Sequence, residues 1–201
     1  MPTTIDTLAS LGLGLGLAAA CGFRVFVPLL VVSLGARFGY VPLAQGWQWM
    51  GSTPATLAFA GATLFEVLGY YIPWVDHLLD TVATPAAVVA GIVTSASVLT
   101  NLPPLIRWTA VIIGGGGIAA LVQGSTVSLR AASGATTAGL GNPVVATAEL
   151  AGSSATSLAA VFFPLFVLVA LAVGIALAFV ALRRLARRRP AAGPPPAAAG
   201  R

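Results

Sequence analysis

The hydrophobic positions of this chain fall into long, nearly uninterrupted blocks rather than the one-sided stripes of a soluble helix. About 20 consecutive apolar residues cross a bilayer as a helix. Six blocks read as such spans: residues 8–34, 54–72, 86–102, 105–127, 143–157 and 158–182, the fifth being short. The first opens LGLGLGLAAACG, small at nearly every second residue, which lets another helix approach closely in lipid. Gly22 and Pro28 are placed to kink or break it, and Arg24 lies near its middle. Residues 35–53 carry Phe38, Tyr40, Trp47 and Trp49. Tyr and Trp favour the membrane–water boundary, so this segment reads as an interfacial loop or short surface helix.

Between the second and third blocks, Pro73 and Pro85 bracket a predicted short amphipathic helix carrying Asp76, His77 and Asp80. Asp76 and Asp80 share one face at i, i+4. Thr94, Ser95, Ser97 and Thr100 give the third block a mild polar face. The fourth holds four consecutive glycines, Gly114 to Gly117, which predict close backbone packing or a break lining a cavity. The polar stretch SLRAASGATTAGLGNP follows, with Arg130, Thr136, Thr137 and Asn142. Its end predicts a helix start, Asn142 as N-cap and Pro143 in the first turn.

Composition turns these blocks into a membrane assignment. Of 201 residues, 58% are hydrophobic and 7% charged; soluble domains run roughly 45–50% and about 25%. The mean hydropathy is +0.97. The net charge of +5 is not a nucleic-acid-binding face: lysine is absent, and six of the ten arginines follow position 182. The tail, residues 183–201, is rich in Arg, Pro and Ala and reads as a disordered topology anchor. Positive charge stays cytoplasmic, which puts the C-terminus inside and, with six spans, the N-terminus too. The N-terminus lacks the basic region of a cleaved signal peptide, so the first block is expected to be retained. Cys21 is alone, which excludes an intrachain disulfide.

Against so little charge, Glu66 and Glu149 stand out, each inside an apolar block and each followed three residues later by glycine, Gly69 and Gly152. The chain slid against itself by 83 residues puts Glu66 on Glu149 and Gly91-Ile92 on Gly174-Ile175. An offset of 95 lays residues 22–34 over 117–129 with five identities. Two three-helix units, 8–102 and 103–182, are the expected reading. An odd number of spans per unit inverts one against the other, with any site near the midplane.

A carboxylate in hydrocarbon needs a partner, water or a proton. Glu66 and Glu149 are therefore candidates for cation or proton binding, or for structural pairing with Arg24 or Arg130. Arg24 fits a structural pair or an anionic substrate. Asp76, His77 and Asp80 fit a cavity mouth or a solvated helix face, and one histidine makes a weak metal signal. Thr136, Thr137 and Asn142 fit a non-helical ion-binding loop or ordinary capping. The chain contains no HExxH, GxSxG or P-loop pattern, and without lysine no Ser-Lys pair. Neither an enzyme nor a cofactor is expected.

The runs GFRVFVPLL, E…GYYIPWVDHLLDTVATP and SLRAASGATTAGLGNPVVATAEL resemble the DUF4126 family of bacterial integral membrane proteins over about residues 8–182. The resemblance marks Gly22, Arg24, Pro28, Glu66, Pro73, Asp76, Asp80, Arg130, Thr136, Thr137, Gly139, Asn142, Pro143 and Glu149. Tyr70-Tyr71 stands where a polar Asp-Lys-like pair would be expected. The resemblance implies a compact multi-span protein of the bacterial cytoplasmic membrane and no particular substrate.

The expected molecule is thus all-α, a polytopic transmembrane bundle of about six spans forming a single membrane domain, residues 1–182. The leading functional expectation is a transporter or channel for an ion or small polar solute, using Glu66 and Glu149. The alternative is a non-transporting scaffold or accessory subunit in which these charges are interhelical pairs. The expected partners are the bilayer, the solute and, in a homodimer, a second copy; nucleic acid is not expected.

Overall fold

The computed structural model describes residues 3–100 and 102–187, and all of its regular structure there is helical. The helices are α1 (Thr4–Cys21), α2 (Phe26–Arg37), α3 (Thr53–Gly69), α4 (Pro73–Val98), α5 (Pro104–Thr109), α6 (Gly117–Thr137), α7 (Asn142–Phe162) and α8 (Pro164–Arg187). A 3-10 turn, Gln48–Gly51, precedes α3, and a π-helical segment, Ala110–Gly116, joins α5 to α6. Among the described residues, five stretches are long and apolar enough to cross a membrane: α1, Leu78–Val98 of α4, Pro104–Thr137, α7 and Pro164–Ala181. The chain is a multi-span membrane protein of helical-bundle type.

The first apolar block is not one span. It breaks after Cys21, and α2 turns back beside α1. Three contacts fix the direction. Gly14 of α1 packs on Leu99, just past the end of α4; Ala44, beyond α2, donates its N–H to Ser97 O of α4 at 2.7 Å; and Trp47 and Leu11 of α1 both pack against the cluster of Ala96, Leu99 and Val111. The segment after α2 has therefore returned to the level of the middle of α1. The residues between the helices, Gly22 to Val25, form the tip of a hairpin. Gly22 is required there because a Cβ would lie 2.7 Å from Ala119 O of α6. Pro28 falls in the first turn of α2, where its missing N–H costs nothing. The 17-residue α3 runs back toward the tip, its start tied to α2 by the bond between Ser33 Oγ and Thr56 Oγ1 at 2.7 Å.

Two further segments differ from expectation. Pro85 lies inside one continuous α4, not at the end of a short amphipathic helix. The hydrogen bond it removes is one among many in a 26-residue helix, and Thr84 adds a side-chain bond to Asp80 O at 3.2 Å. The polar stretch after residue 127 is also helical to Thr137, with the turn limited to residues 138–141. There Ala138 (φ 51°) and Gly139 (φ 87°) adopt the left-handed conformation that ends a helix. The start of α7 lies one residue before the predicted one, with Gly141 as N-cap and Asn142 the first helical residue.

Close packing follows the small residues. Gly91 of α4 and Gly115 of the π segment meet backbone to backbone: a Cβ on either would sit 2.9 Å from the other's carbonyl oxygen. Of the two expected outcomes the glycine run shows close backbone approach; the helix continues through it as a π segment rather than breaking. On the other side of α1, a Cβ on Gly16 would reach Ala160 of α7 at 2.8 Å. Between helices, Ser95 Oγ donates to Gly14 O at 3.1 Å and Ser153 Oγ to Ala20 O at 3.0 Å. The described residues up to Leu168 form one compact unit and those from Val169 a second. The latter contains the apolar remainder of α8, which continues as helix through Arg183 and Arg184 to Arg187. The rest of the basic tail, residues 188–201, lies outside the described residues.

Candidate functional site

The tip of the α1–α2 hairpin is where the buried charge gathers. Ending α1 at Cys21 and restarting the helix at Phe26 leaves new backbone N–H groups with no partner in their own helix. Glu66, on the last full turn of α3, supplies the acceptors: Val25 N–H donates to Oε1 at 2.7 Å and Phe26 N–H to Oε2 at 3.0 Å. One buried carboxylate caps the N-terminus of α2, where the helix dipole also favours negative charge.

Arg24, only 2% exposed, projects from the same tip toward α7. Its Nη2 donates to Ala146 O at 2.8 Å and lies 3.5 Å from Glu149 Oε2. Glu149 is held more tightly by Arg130 of α6, whose Nε donates to Oε1 at 2.9 Å while Nη2 donates to Oε2. This two-pronged pairing is the geometry a guanidinium and a carboxylate favour. Arg130 Nη1 also lies 3.6 Å from Asp80 Oδ1 of α4. Both guanidinium carbons sit over the ring of Tyr70, Arg24 at 3.8 Å and Arg130 at 4.0 Å from its centroid. Aromatic faces attract such cations.

The cluster thus ties α2, α3, α4, α6 and α7 together around one hairpin tip. Asp80, Arg130 and Glu149 each lie seven residues from the helix end on that side, at Pro73, Thr137 and Asn142. At 1.5 Å per residue this places the charges about 10 Å in from those ends. Arg24 Nε and Nη1 find no hydrogen-bond partner among the described residues. Buried polar groups of this kind are commonly met by internal water.

Of the residues singled out from sequence, Arg24, Glu66, Asp80, Arg130 and Glu149 are brought together. The side chains of Asp76 and His77 lie outside the described residues. Thr136 and Thr137 are not part of a non-helical loop: they are exposed on the last turn of α6 and donate to Ala132 O at 2.9 Å and Ser133 O at 2.7 Å. Thr137 Oγ1 also accepts from Gly141 N–H at 2.9 Å, which is capping chemistry. Asn142 is buried at the start of α7. Among the described residues no group of three or more His, Cys, Asp or Glu side chains is placed to hold a metal ion. The sequence reading noted Tyr70 only as part of a Tyr-Tyr pair in place of a polar one and gave it no part in the site. Its place one turn after Glu66 was the available signal.

The family model described as "Domain of unknown function (DUF4126)" matches residues 11–184. No curated protein and no solved structure matches the chain.

Proposed function

The chain belongs to the DUF4126 family, and from its ionic cluster we propose a non-transporting membrane scaffold or accessory subunit in which the buried charges clamp five helices around a hairpin tip. One observation carries this reading: both glutamates of the cluster are already engaged. Glu66 spends both oxygens on backbone N–H groups, and Glu149 is matched by two guanidinium groups. A cation binding at Glu149 would have to displace an arginine and leave that positive charge buried without its partner, which is costly. A proton or cation at Glu66 would weaken the cap that starts α2. Neither carboxylate is poised as an open ligand, so the geometry favours glue over coordination.

The test is flux in proteoliposomes against a panel of cations, with a pH-sensitive dye for protons. The clamp reading expects wild-type protein to pass no more than protein-free vesicles. It also expects Glu66→Gln and Glu149→Gln to lower the melting temperature in detergent. Wild-type flux that disappears in a Glu149→Gln protein of unchanged stability would overturn the clamp and restore a carboxylate-dependent pathway.

A further inference from the structure

Away from the cluster, α2 presents a second two-part feature. An apolar groove of about 450 Å³ runs between α2, α3 and α4, lined by Phe26, Leu29, Trp49, Phe59, Ala86 and Val89 among others. Beyond it lies a polar recess of about 480 Å³ at the far end of α2, with Arg37, Gln48 and Ser52 in its wall. Both volumes fall in the range of small-molecule sites, roughly 300–1,000 Å³. The two share one face of α2: Phe26, Leu29, Ala36 and Arg37 follow helical spacing within an arc of about 100°. They also flank the same 3-10 turn, Trp49 bordering the groove while Gln48 and Gly51 border the recess.

We propose that this face binds one glycerophospholipid with an anionic headgroup, its phosphate at Arg37 and an acyl chain in the groove. The order of the parts matches a lipid. The recess lies in the segment whose exposed Tyr40 and Trp49 suit the membrane–water boundary, while the groove follows α2 inward toward the hairpin tip. Arg37 is the one charged side chain lining either part. A guanidinium has five N–H donors; Arg37 Nη1 donates to Thr53 Oγ1 at 2.6 Å, which steadies the fork at the mouth of the recess. Trp49 stands 53% exposed and packs against Phe59 with ring centroids 6.3 Å apart. That gives the junction an amphipathic ring suited to a glycerol backbone.

Native mass spectrometry of the full-length protein, offered equal phosphatidylglycerol and phosphatidylcholine of matched chains, tests the site. One retained lipid is expected, with about fivefold preference for phosphatidylglycerol, as one arginine against an anionic headgroup supplies. Ala86→Phe should abolish retention by filling the groove; Arg37→Gln should keep retention and lose the preference. Val89→Trp, at the exposed rim, replaces Ala86→Phe if that variant does not fold. Equal retention of both lipids by wild type, or full retention by a folded groove variant, overturns the proposal. So does a dimer whose contact covers the groove in place of lipid, or displacement of the lipid by inorganic phosphate alone.

Discussion

Glu149 is the residue on which most of the buried charge depends. Replacing it with Gln keeps its volume but removes the countercharge from Arg130 and Arg24, and breaking a buried pair from one side costs about 3–5 kcal/mol. Glu149→Gln is expected to lower the thermal midpoint in detergent more than any other single exchange in the cluster. Arg130→Gln combined with Glu149→Gln should lose less than the sum of the two, because neither partner is then left charged and alone. Glu66 predicts a smaller effect: Gln retains one acceptor oxygen and gives up one bond to the α2 N-terminus, about 1–2 kcal/mol by the scale of helix caps. Similar midpoints for Glu66→Gln and Glu149→Gln would contradict this division of labour. The sequence made both residues visible, since a carboxylate in an apolar block is conspicuous. It did not separate their roles, because the donors Glu66 meets are backbone N–H groups, and an unpaired N–H has no signature in the side-chain string.

At the scale of elements, the glycine run divides into positions that pack and positions that do not. Gly115 faces the backbone of Gly91 and the side chain of Ser95, whereas a Cβ on Gly117 would meet nothing within 4 Å. Gly115→Val should therefore force α4 and the π segment apart, with an overpacking cost of about 1–3 kcal/mol or more. Gly117→Ala should be neutral or raise stability by up to about 1 kcal/mol, since it relieves glycine's helix penalty without a clash. Equal destabilisation by both would mean that the run acts through flexibility rather than contact. Composition announced this region without ordering its members, because four identical letters carry no phase. The helix after residue 127 was hidden for the opposite reason. Ser128, Ser133, Thr136 and Thr137 look like a loop, yet all except Ser133 return their hydroxyls to their own helix's carbonyls one turn back, and Thr137 also receives the N–H of Gly141.

For the whole molecule, the consequential difference is the hairpin. A 27-residue apolar stretch, residues 8–34, satisfies the length of one tilted span as well as that of two antiparallel helices. Periodicity cannot decide between them when nearly every position is apolar. The deciding contacts, Gly14 with Leu99 and Ala44 with Ser97, join residues far apart in the chain. The hairpin removes the even count that placed the N-terminus beside the C-terminus, so sidedness becomes a measurable property of α1 and α2 themselves. In a Cys21→Ala background, single cysteines at Asp6 and at Phe38 should react with a membrane-impermeant maleimide from the same side of oriented vesicles. A single span would expose them on opposite sides. Phe38 is 68% exposed, so packing within the protein does not block labelling there, and a membrane-permeant maleimide as control separates lipid burial from sidedness. Same-side labelling would establish the hairpin whose tip carries Arg24, the position the charge cluster is built to hold.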